Sequence, residues 1–473
     1  METRAPLSTT AAGRPTSRSV LPVVAGSIAL AFSVGLYFPG YLSFDSAYQF
    51  WQARTGHFSN QSPVVMTAVW RAVDAVWPSP AAMLTLHFVA YWTGLVLLAL
   101  HLWERNLPRL AFMLGTGFLP PAFVVMGHLW TDASLIAAMT LAFGLTVAGL
   151  VRQRPLALVL AAPFILYAGA VRHNSLLAIV PLAMLWASGV LDALPVRREP
   201  SAAIRRKTGI AAIAMLAVSA SFGFGRVLDA SLTRERVSTW TLVAAWDLAA
   251  ISLRTGTMVI PAFARTPGLT LEQLRQQYTP YTNVPVFDGA EHVRHGMGDE
   301  AYSDQELQRL REAWLAAVAA HSGSYAAHRA EVTTRLFGRY DGELEGLFFS
   351  PTVVPYRDNP PAEPALWNLR DRVAAVVRAT RGWLIFVPAL YLAIAGGVVL
   401  WSWRRRASLA ASIALAAATS GLLLVVPLAL AAPSAELRYS GWLFVASAIG
   451  LAACGARIGT ADPRQRPRRA SRL

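Results

Sequence analysis

Cysteine, lysine and charge are all scarce in this 473-residue chain, which holds one cysteine, Cys454, and one lysine, Lys207. A lone thiol closes no internal disulfide and completes no zinc-type spacing, so neither a disulfide framework nor a cysteine metal site is available. Asp, Glu, Lys and Arg together make up 15% of the residues, against roughly 25% in an average soluble chain. Sustained period-2 alternation is missing too, which argues against a sheet-based fold. What fills the chain instead is apolar: 55% hydrophobic residues and a mean hydropathy of +0.41. One water-soluble core cannot hide that much apolar surface, so the expected solvent is lipid.

The net charge of +15 raises nucleic acid as a partner, but the placement of the charge argues against it. Arginines cluster in short loops between apolar runs, the pattern of cytoplasmic loops in membrane proteins, and form no continuous basic face with interleaved aromatics. A spanning helix needs about 20 mostly apolar residues. Runs of that kind lie near 20–40, 80–102, 109–127, 133–151, 155–171, 174–191, 209–229, 382–401, 408–432 and 441–457, predicting an all-α polytopic membrane protein of about ten transmembrane helices. Arg4, Arg14 and Arg18 ahead of the first run resemble a signal sequence. The run is long and no clear A-x-A site follows it, so it reads as an uncleaved first helix.

With the N-terminus inside, the dense Arg clusters at 105–109, 152–154, 197–207, 404–406 and 457–472 all fall on the cytoplasmic side, as does the C-terminus. Three parts follow: an N-terminal transmembrane module, 1–229, with a first outer loop at 41–79; a mainly helical extracytoplasmic domain, 230–381, inserted before the last three helices; and C-terminal helices with a basic tail, 382–473. The first outer loop reads as irregular chain followed by an amphipathic stretch at 64–76. The outer domain holds helical pieces at 271–278 and 303–337, the latter opened by the capping box Ser303-Asp304-Gln305-Glu306. A proline-rich irregular stretch follows at 351–364.

Four polar groups emerge on the outer face in this arrangement: Asp45; Asp132; Arg172, His173 and Asn174; and Glu436, Arg438 and Tyr439. Each has a structural reading: a cap or loop acid for Asp45 and Asp132, snorkelling for Arg172, a local bridge for Glu436 and Arg438. Together they bring acids and guanidinium groups from distant parts of the chain to one membrane surface, where ionisable residues are costly. A carboxylate beside guanidiniums suits transfer from a lipid-borne phosphate donor: the acid activates an acceptor hydroxyl and arginine holds phosphate oxygens.

At these residues the chain resembles the GT-C glycosyltransferases, multi-pass enzymes that use polyprenyl-phosphate sugars. Its layout is similar to that of protein O-mannosyltransferases and the lipid A aminoarabinose transferase. The resemblance rests on Phe38-Pro39-Gly40-Tyr41 with Asp45, then Tyr48-Gln49-Phe50-Trp51-Gln52-Ala53, Gly56 and Ser62-Pro63, then His128-Leu129-Trp130-Thr131-Asp132, Val171-Arg172-His173-Asn174 and Glu436-Leu437-Arg438-Tyr439. It implies catalytic roles for Asp45, as base, and Asp132, with room for a divalent metal, Mg or Mn. It implies donor-phosphate contacts by Arg172, His173 and Arg438, and substrate contacts by Gln49, Asn174, Glu436, Tyr439 and, from the outer domain, Arg329. It further implies an inverting transfer, in a bacterial inner membrane, to a glycan, lipid or protein acceptor. Two positions depart from the pattern: Thr131 stands where several relatives carry Lys, and Ser62 where His is frequent.

Within the outer domain, Trp246-Asp247-Leu248-Ala249-Ala250-Ile251-Ser252 and Tyr325-Ala326-Ala327-His328-Arg329 read either as an acceptor groove or as ordinary helix surface. Trp314 and Tyr325 read as core or as sugar-stacking rings. Asp288, Glu291, His292 and His295 fit no metal spacing and read as a solvated loop. The rivals to this reading are a polytopic transporter or lipid flippase, a non-enzymatic assembly or polymer-binding protein, and, as a near neighbour, a polysaccharide polymerase or ligase that also uses lipid-linked saccharide. Transport predicts charge along a path through the helices, whereas these runs are nearly all Ala, Leu and Val.

Overall fold

The computed structural model describes residues 17–194, 202–338, 353–362, 365–405 and 408–456. The basic tail, the start of the 197–207 cluster, Arg406 and the ends of the 351–364 stretch lie outside the described residues. Among the described residues, eighteen α-helices account for nearly all the regular structure. The only sheet among the described residues is a two-stranded parallel pair, β1 (Phe58–Ser59) with β2 (Thr233–Glu235).

All ten apolar runs are helical, yet fewer than ten helices are long enough to cross a bilayer alone. Seven qualify among the described residues, and eight if one bent pair is a single span. In chain order the helices of the runs are α1 (Ser17–Tyr37), α4 (Pro80–Leu102), α5 (Asn106–Gly117) with α6 (Pro120–Met126), α7 (Thr131–Arg152), α8 (Pro155–Ala170), α9 (Ser175–Ala193), α10 (Ala202–Leu232), α16 (Pro388–Arg404), α17 (Leu409–Ala431) and α18 (Gly441–Cys454). The shortfall has local causes. Pro120 and Pro121 open α6 and turn it 60° from α5. The helices α8 and α16 have 16 and 17 residues.

The helix α7 is buried on almost every side, with α4, α8, α9 and α18 against it. Small residues allow the closest approach: a Cβ on Gly94 of α4 would stand 2.5 Å from the Thr140 carbonyl of α7, and one on Gly144 would stand 2.7 Å from the Gly94 oxygen. The helix α10 is the opposite case, with Met215, Leu216, Phe222 and Val227 exposed along it. An apolar helix with exposed apolar faces belongs against lipid.

The segment 41–79 holds more helix than expected. An unforeseen helix, α2 (Phe44–Thr55), precedes α3 (Val64–Asp74), which is the expected amphipathic stretch. The former was hidden because Asp45, Gln49 and Gln52 interrupt its apolar residues. Gln49 and Gln52 are buried, and each makes one local hydrogen bond: Gln49 Nε2 donates to Thr67 Oγ1, and Gln52 Oε1 accepts from the Ser59 amide.

A helical region, 240–404, lies between the spans. It contains α11 (Trp240–Thr255), α12 (Leu271–Gln277), α13 (Asp304–Ala320), α14 (Ser322–Phe337) and α15 (Trp367–Thr380), and it runs on into α16. Capping boxes at Thr270/Gln273 and Ser303/Glu306 start α12 and α13. The single helix expected over 303–337 is two, because His321 leaves helical geometry at φ −124° and ψ 42°. The helix α14 packs against the end of α17, and this contact joins the inserted region to the site.

Candidate functional site

The site is built where α1 ends and α7 begins. Gly40 has φ +108°, a conformation open to glycine, and a Cβ there would meet Leu129 at 2.9 Å. That turn lets the Tyr41 amide donate to Gly127 O at 2.9 Å and the Leu129 amide to Tyr41 O at 3.0 Å. The segment leading to Asp45 is thereby fastened to the one leading to Asp132. Side chains continue the link. Tyr41 meets His128 edge-on, His128 stacks on Trp130 with centroids 3.9 Å apart, and Trp130 Nε1 donates to Ser43 Oγ at 2.8 Å.

Asp45 sits in the first turn of α2 with its side chain 47% exposed. Arg438 reaches it with two nitrogens, 3.2 and 3.3 Å from the same oxygen, Oδ2. On its other edge Arg438 pairs through Nε with Glu436 Oε2 at 2.5 Å. Glu436 is itself set by Ser434 Oγ, which donates to Oε1 at 2.6 Å. The Arg438 guanidinium also lies over Trp130, 4.7 Å from its centroid. The local bridge between Glu436 and Arg438 therefore exists, and it is one edge of a larger cluster.

The second pair is more deeply buried. Asp132, 6% exposed, meets Arg172 in an ion pair. Arg172 Nη1 also donates to Thr131 Oγ1 and Nε to Asn174 Oδ1, each at 3.3 Å. Asn174 Nδ2 in turn donates to Leu424 O at 3.2 Å on α17. Asp132 makes no side-chain cap; Trp130 stands at the cap position. Its partner is the arginine across the α8–α9 turn, which spends Arg172 on an ion pair instead of on the interface. Tyr439 joins the pairs: the guanidiniums of Arg172 and Arg438 each lie 5.4 Å from its ring centroid. Asp132 is also within the electrostatic reach of Arg438 and Glu436.

The four polar groups expected to meet are thus one cluster of three carboxylates and two guanidiniums. Of the other predicted residues, His173 is exposed and lines, with Arg172, Arg226 and Asp229, a pocket of about 290 Å³. Gln49 points away, into the α2–α3 contact. Arg329 is buried in a second cluster with Asp247 and His328. Its Nη2 lies 2.6 Å from Asp247 Oδ1, and its Nη1 donates to Ala432 O at 2.8 Å. Trp314 Nε1 donates to Asp247 Oδ2 at 3.0 Å, and burial holds the His328 imidazole pKa below its usual value against the pull of Asp247.

The donor set does not make up a metal centre. Asp132 is taken by Arg172 and Glu436 by Arg438, and among the described residues no three His, Cys, Asp or Glu side chains are grouped to hold an ion. No step below is routed through a metal. Asp288, Glu291, His292 and His295 do not converge either. His292 and His295 turn to Glu300, at 2.6 and 3.3 Å, a partner that the spacing of the four did not include.

Residue patterns gave no sign of one buried polar chain. His87 of α4, Ser134 of α7 and Tyr167 of α8 are hydrogen-bonded at 2.8 and 2.6 Å, beside an apolar pocket of about 230 Å³. Single polar residues in separate apolar runs carry no shared spacing, so only the packing reveals the chain.

Fold and site together define a helical, polytopic membrane protein with a carboxylate–arginine cluster at one end of its spans. No family model, no curated protein and no solved structure matches the chain.

Proposed function

We propose that this protein is an inverting glycosyltransferase of the GT-C type, moving a sugar from a polyprenyl phosphate to an acceptor at the outer face of a bacterial inner membrane. The observation that carries the reading is the cluster itself. Four segments far apart in the chain deliver Asp45, Asp132, Arg172, Glu436 and Arg438 to one place, and Asp45 is the exposed carboxylate among them. In the ten-pass arrangement, with both termini cytoplasmic, α8 and α16 count as spans and α5 with α6 as one broken span. The inserted region then stands outside.

In this mechanism Asp45 takes the proton of the acceptor hydroxyl as its oxygen attacks the anomeric carbon. The bond from that carbon to the phosphate oxygen breaks, and the electron pair leaves with the polyprenyl phosphate. Arg438, and Arg172 behind Tyr439, receive the charge that develops on the leaving phosphate. Arg438 is already paired with Asp45, so donor and base compete for one guanidinium. Donor binding draws Arg438 toward phosphate and leaves Asp45 free to accept a proton. Asp132, with Arg172 neutralising it, fixes the orientation of that arginine.

The test is transfer from a panel of radiolabelled polyprenyl-phosphate sugars, comparing the native chain with Asp45→Asn at matched expression. Transfer is expected to fall by about 10²–10⁴-fold while donor binding holds or tightens, because Arg438 loses its competitor. No transfer with any donor by a well-folded native chain would contradict the proposal. The second reading, a transporter or a lipid-linked saccharide flippase or polymerase, draws on the His87–Ser134–Tyr167 chain, since polar groups within spans mark transport paths. It predicts that His87→Ala stops the activity and Asp45→Asn leaves it intact.

A further inference from the structure

The helix that carries Asp45 also carries a stripe of aromatic rings. Phe44, Tyr48 and Trp51 stand at i, i+4 and i+7 on α2, one face of a helix. Tyr356 closes over them from a segment some 300 residues later in the chain. Its ring lies 5.5 Å from Phe44, 5.4 Å from Tyr48 and 6.1 Å from Trp51. The next residue, Arg357, has φ +46°, a left-handed conformation that costs energy for any residue but glycine. In that conformation its guanidinium lies 4.1 Å from the Trp51 centroid.

The segment is strapped to α2. The Val354 amide donates to Leu42 O at 2.8 Å, Asn359 Nδ2 to Ala47 O at 2.8 Å, and Trp51 Nε1 donates to Asp358 Oδ1 at 2.9 Å. The rings are therefore held in place before any ligand arrives. Tyr48 is buried beneath the face, its hydroxyl donating to Glu235 Oε2 at 3.1 Å, whereas Phe44 is 56% exposed and Trp51 and Tyr356 are partly so.

We propose that this aromatic face, Phe44, Tyr48 and Trp51 with Tyr356 and Arg357, is the seat of a saccharide acceptor, so that the glycosyltransferase of the preceding section acts on a glycan. The proposal rests on that reading and names its acceptor. A sugar ring has an apolar C–H face and a rim of hydroxyls, and it suits flat rings bordered by charged groups. Here the rings are bordered by Asp45, Arg54, Arg357 and Asp358. A lipid chain asks for a continuous apolar groove, and these charges interrupt one. The seat adjoins the proposed base directly, because Phe44 and Asp45 are consecutive.

The test uses the full-length protein in lipid nanodiscs, applied to an array of oligosaccharides built from glucose, mannose, galactose, arabinose and N-acetylglucosamine. Binding to at least one saccharide is expected, weakened about tenfold by Trp51→Ala and by Phe44→Ala. Polyprenyl-phosphate binding and the melting temperature are expected to hold. If Trp51→Ala melts early, Arg357→Ala, on an exposed side chain, takes its place. Binding to no saccharide, or equal binding by native and variant proteins, would overturn the seat. So would quenching of tryptophan emission by brominated lipid that drops in Trp51→Phe, since that ring would then be a membrane anchor. Saccharide binding without transfer from any polyprenyl donor would sink the enzyme reading and keep the seat. Transfer to a lipid or protein, without saccharide binding, would sink the seat and keep the enzyme.

Discussion

The stretch 429–438 joins two clusters made of the same groups. On one side Arg438 meets Asp45 and Glu436; on the other Arg329, through Ala432 O, leads to Asp247 and His328. Each centres on a carboxylate and an arginine with aromatic rings alongside. Their surroundings differ. The Asp45 side chain is 47% exposed, whereas those of Asp247 and His328 are 0% exposed and that of Arg329 is 5%. Asp247 is enclosed by Trp314, Arg329 and His328, and Tyr278 OH completes the ring of contacts on His328 Nδ1 at 2.9 Å. A carboxylate so enclosed has nothing left to offer a ligand. It fixes how the inserted region grips the 432–436 turn, where the Ala435 amide also donates to Tyr281 O at 2.7 Å. Under the proposed function, similar residue types thus divide into chemistry and scaffold by the exposure of their central carboxylates.

The largest effect on stability belongs to the sealed cluster. Asp247→Ala leaves Arg329 and His328 buried without their acid, and we expect a loss of about 3–5 kcal/mol, read as an early melt in detergent. A melt unchanged from native would erase the distinction between the clusters. Next comes Arg172→Lys. An ammonium keeps the charge on Asp132 but cannot also reach Thr131 and Asn174, so a loss of about 1–2 kcal/mol is expected, seen by the same melt. Full stability in this variant would show that charge alone holds the α8–α9 turn.

The smallest effect is a pH dependence in the inserted region. The Glu300 hydrogen bond raises the His292 pKa. Burial pushes the Glu300 carboxyl up, but His292 and the His295 amide outweigh it and bring the carboxyl below its usual value. The contribution of His292 is complete below an imidazole's usual 6.5 and fades as pH rises through its raised value. That of Glu300 is complete above a carboxylate's usual 4.5 and fades as pH falls through its lowered value. The pair therefore supports the fold best between those limits, by about 1 kcal/mol or less for a pair this open to water. Comparing melts of native and Glu300→Gln proteins from below pH 4.5 to above pH 6.5 reads it; identical profiles would remove the pair from the account.

Much of the membrane-spanning part was legible in the sequence because lipid imposes one rule, about 20 apolar residues per crossing. The Ser303–Glu306 cap was legible for the same kind of local reason. The convergence of Asp45, Asp132, Arg172 and Arg438 at one end followed from counting helix directions. What stayed hidden depended on partners distant in the chain. The helix α2 mixes glutamines with aromatics, and its buried glutamines bond to Ser59 and Thr67, partners that no local pattern announces. Tyr356 reaches the α2 rings from between α14 and α15, some 300 residues later in the chain. The break at His321 is a backbone choice within a helix-forming stretch.

The most direct test crosses the two clusters. Asp45→Asn and Asp247→Asn would each be measured for sugar transfer from polyprenyl-phosphate donors and for melting temperature. The account predicts that Asp45→Asn lowers transfer by about 10²–10⁴-fold and melts within about 1 kcal/mol of the native protein, while Asp247→Asn melts early. Transfer that survives Asp45→Asn, in a protein as stable as the native one, would contradict the assignment of Asp45 as the base.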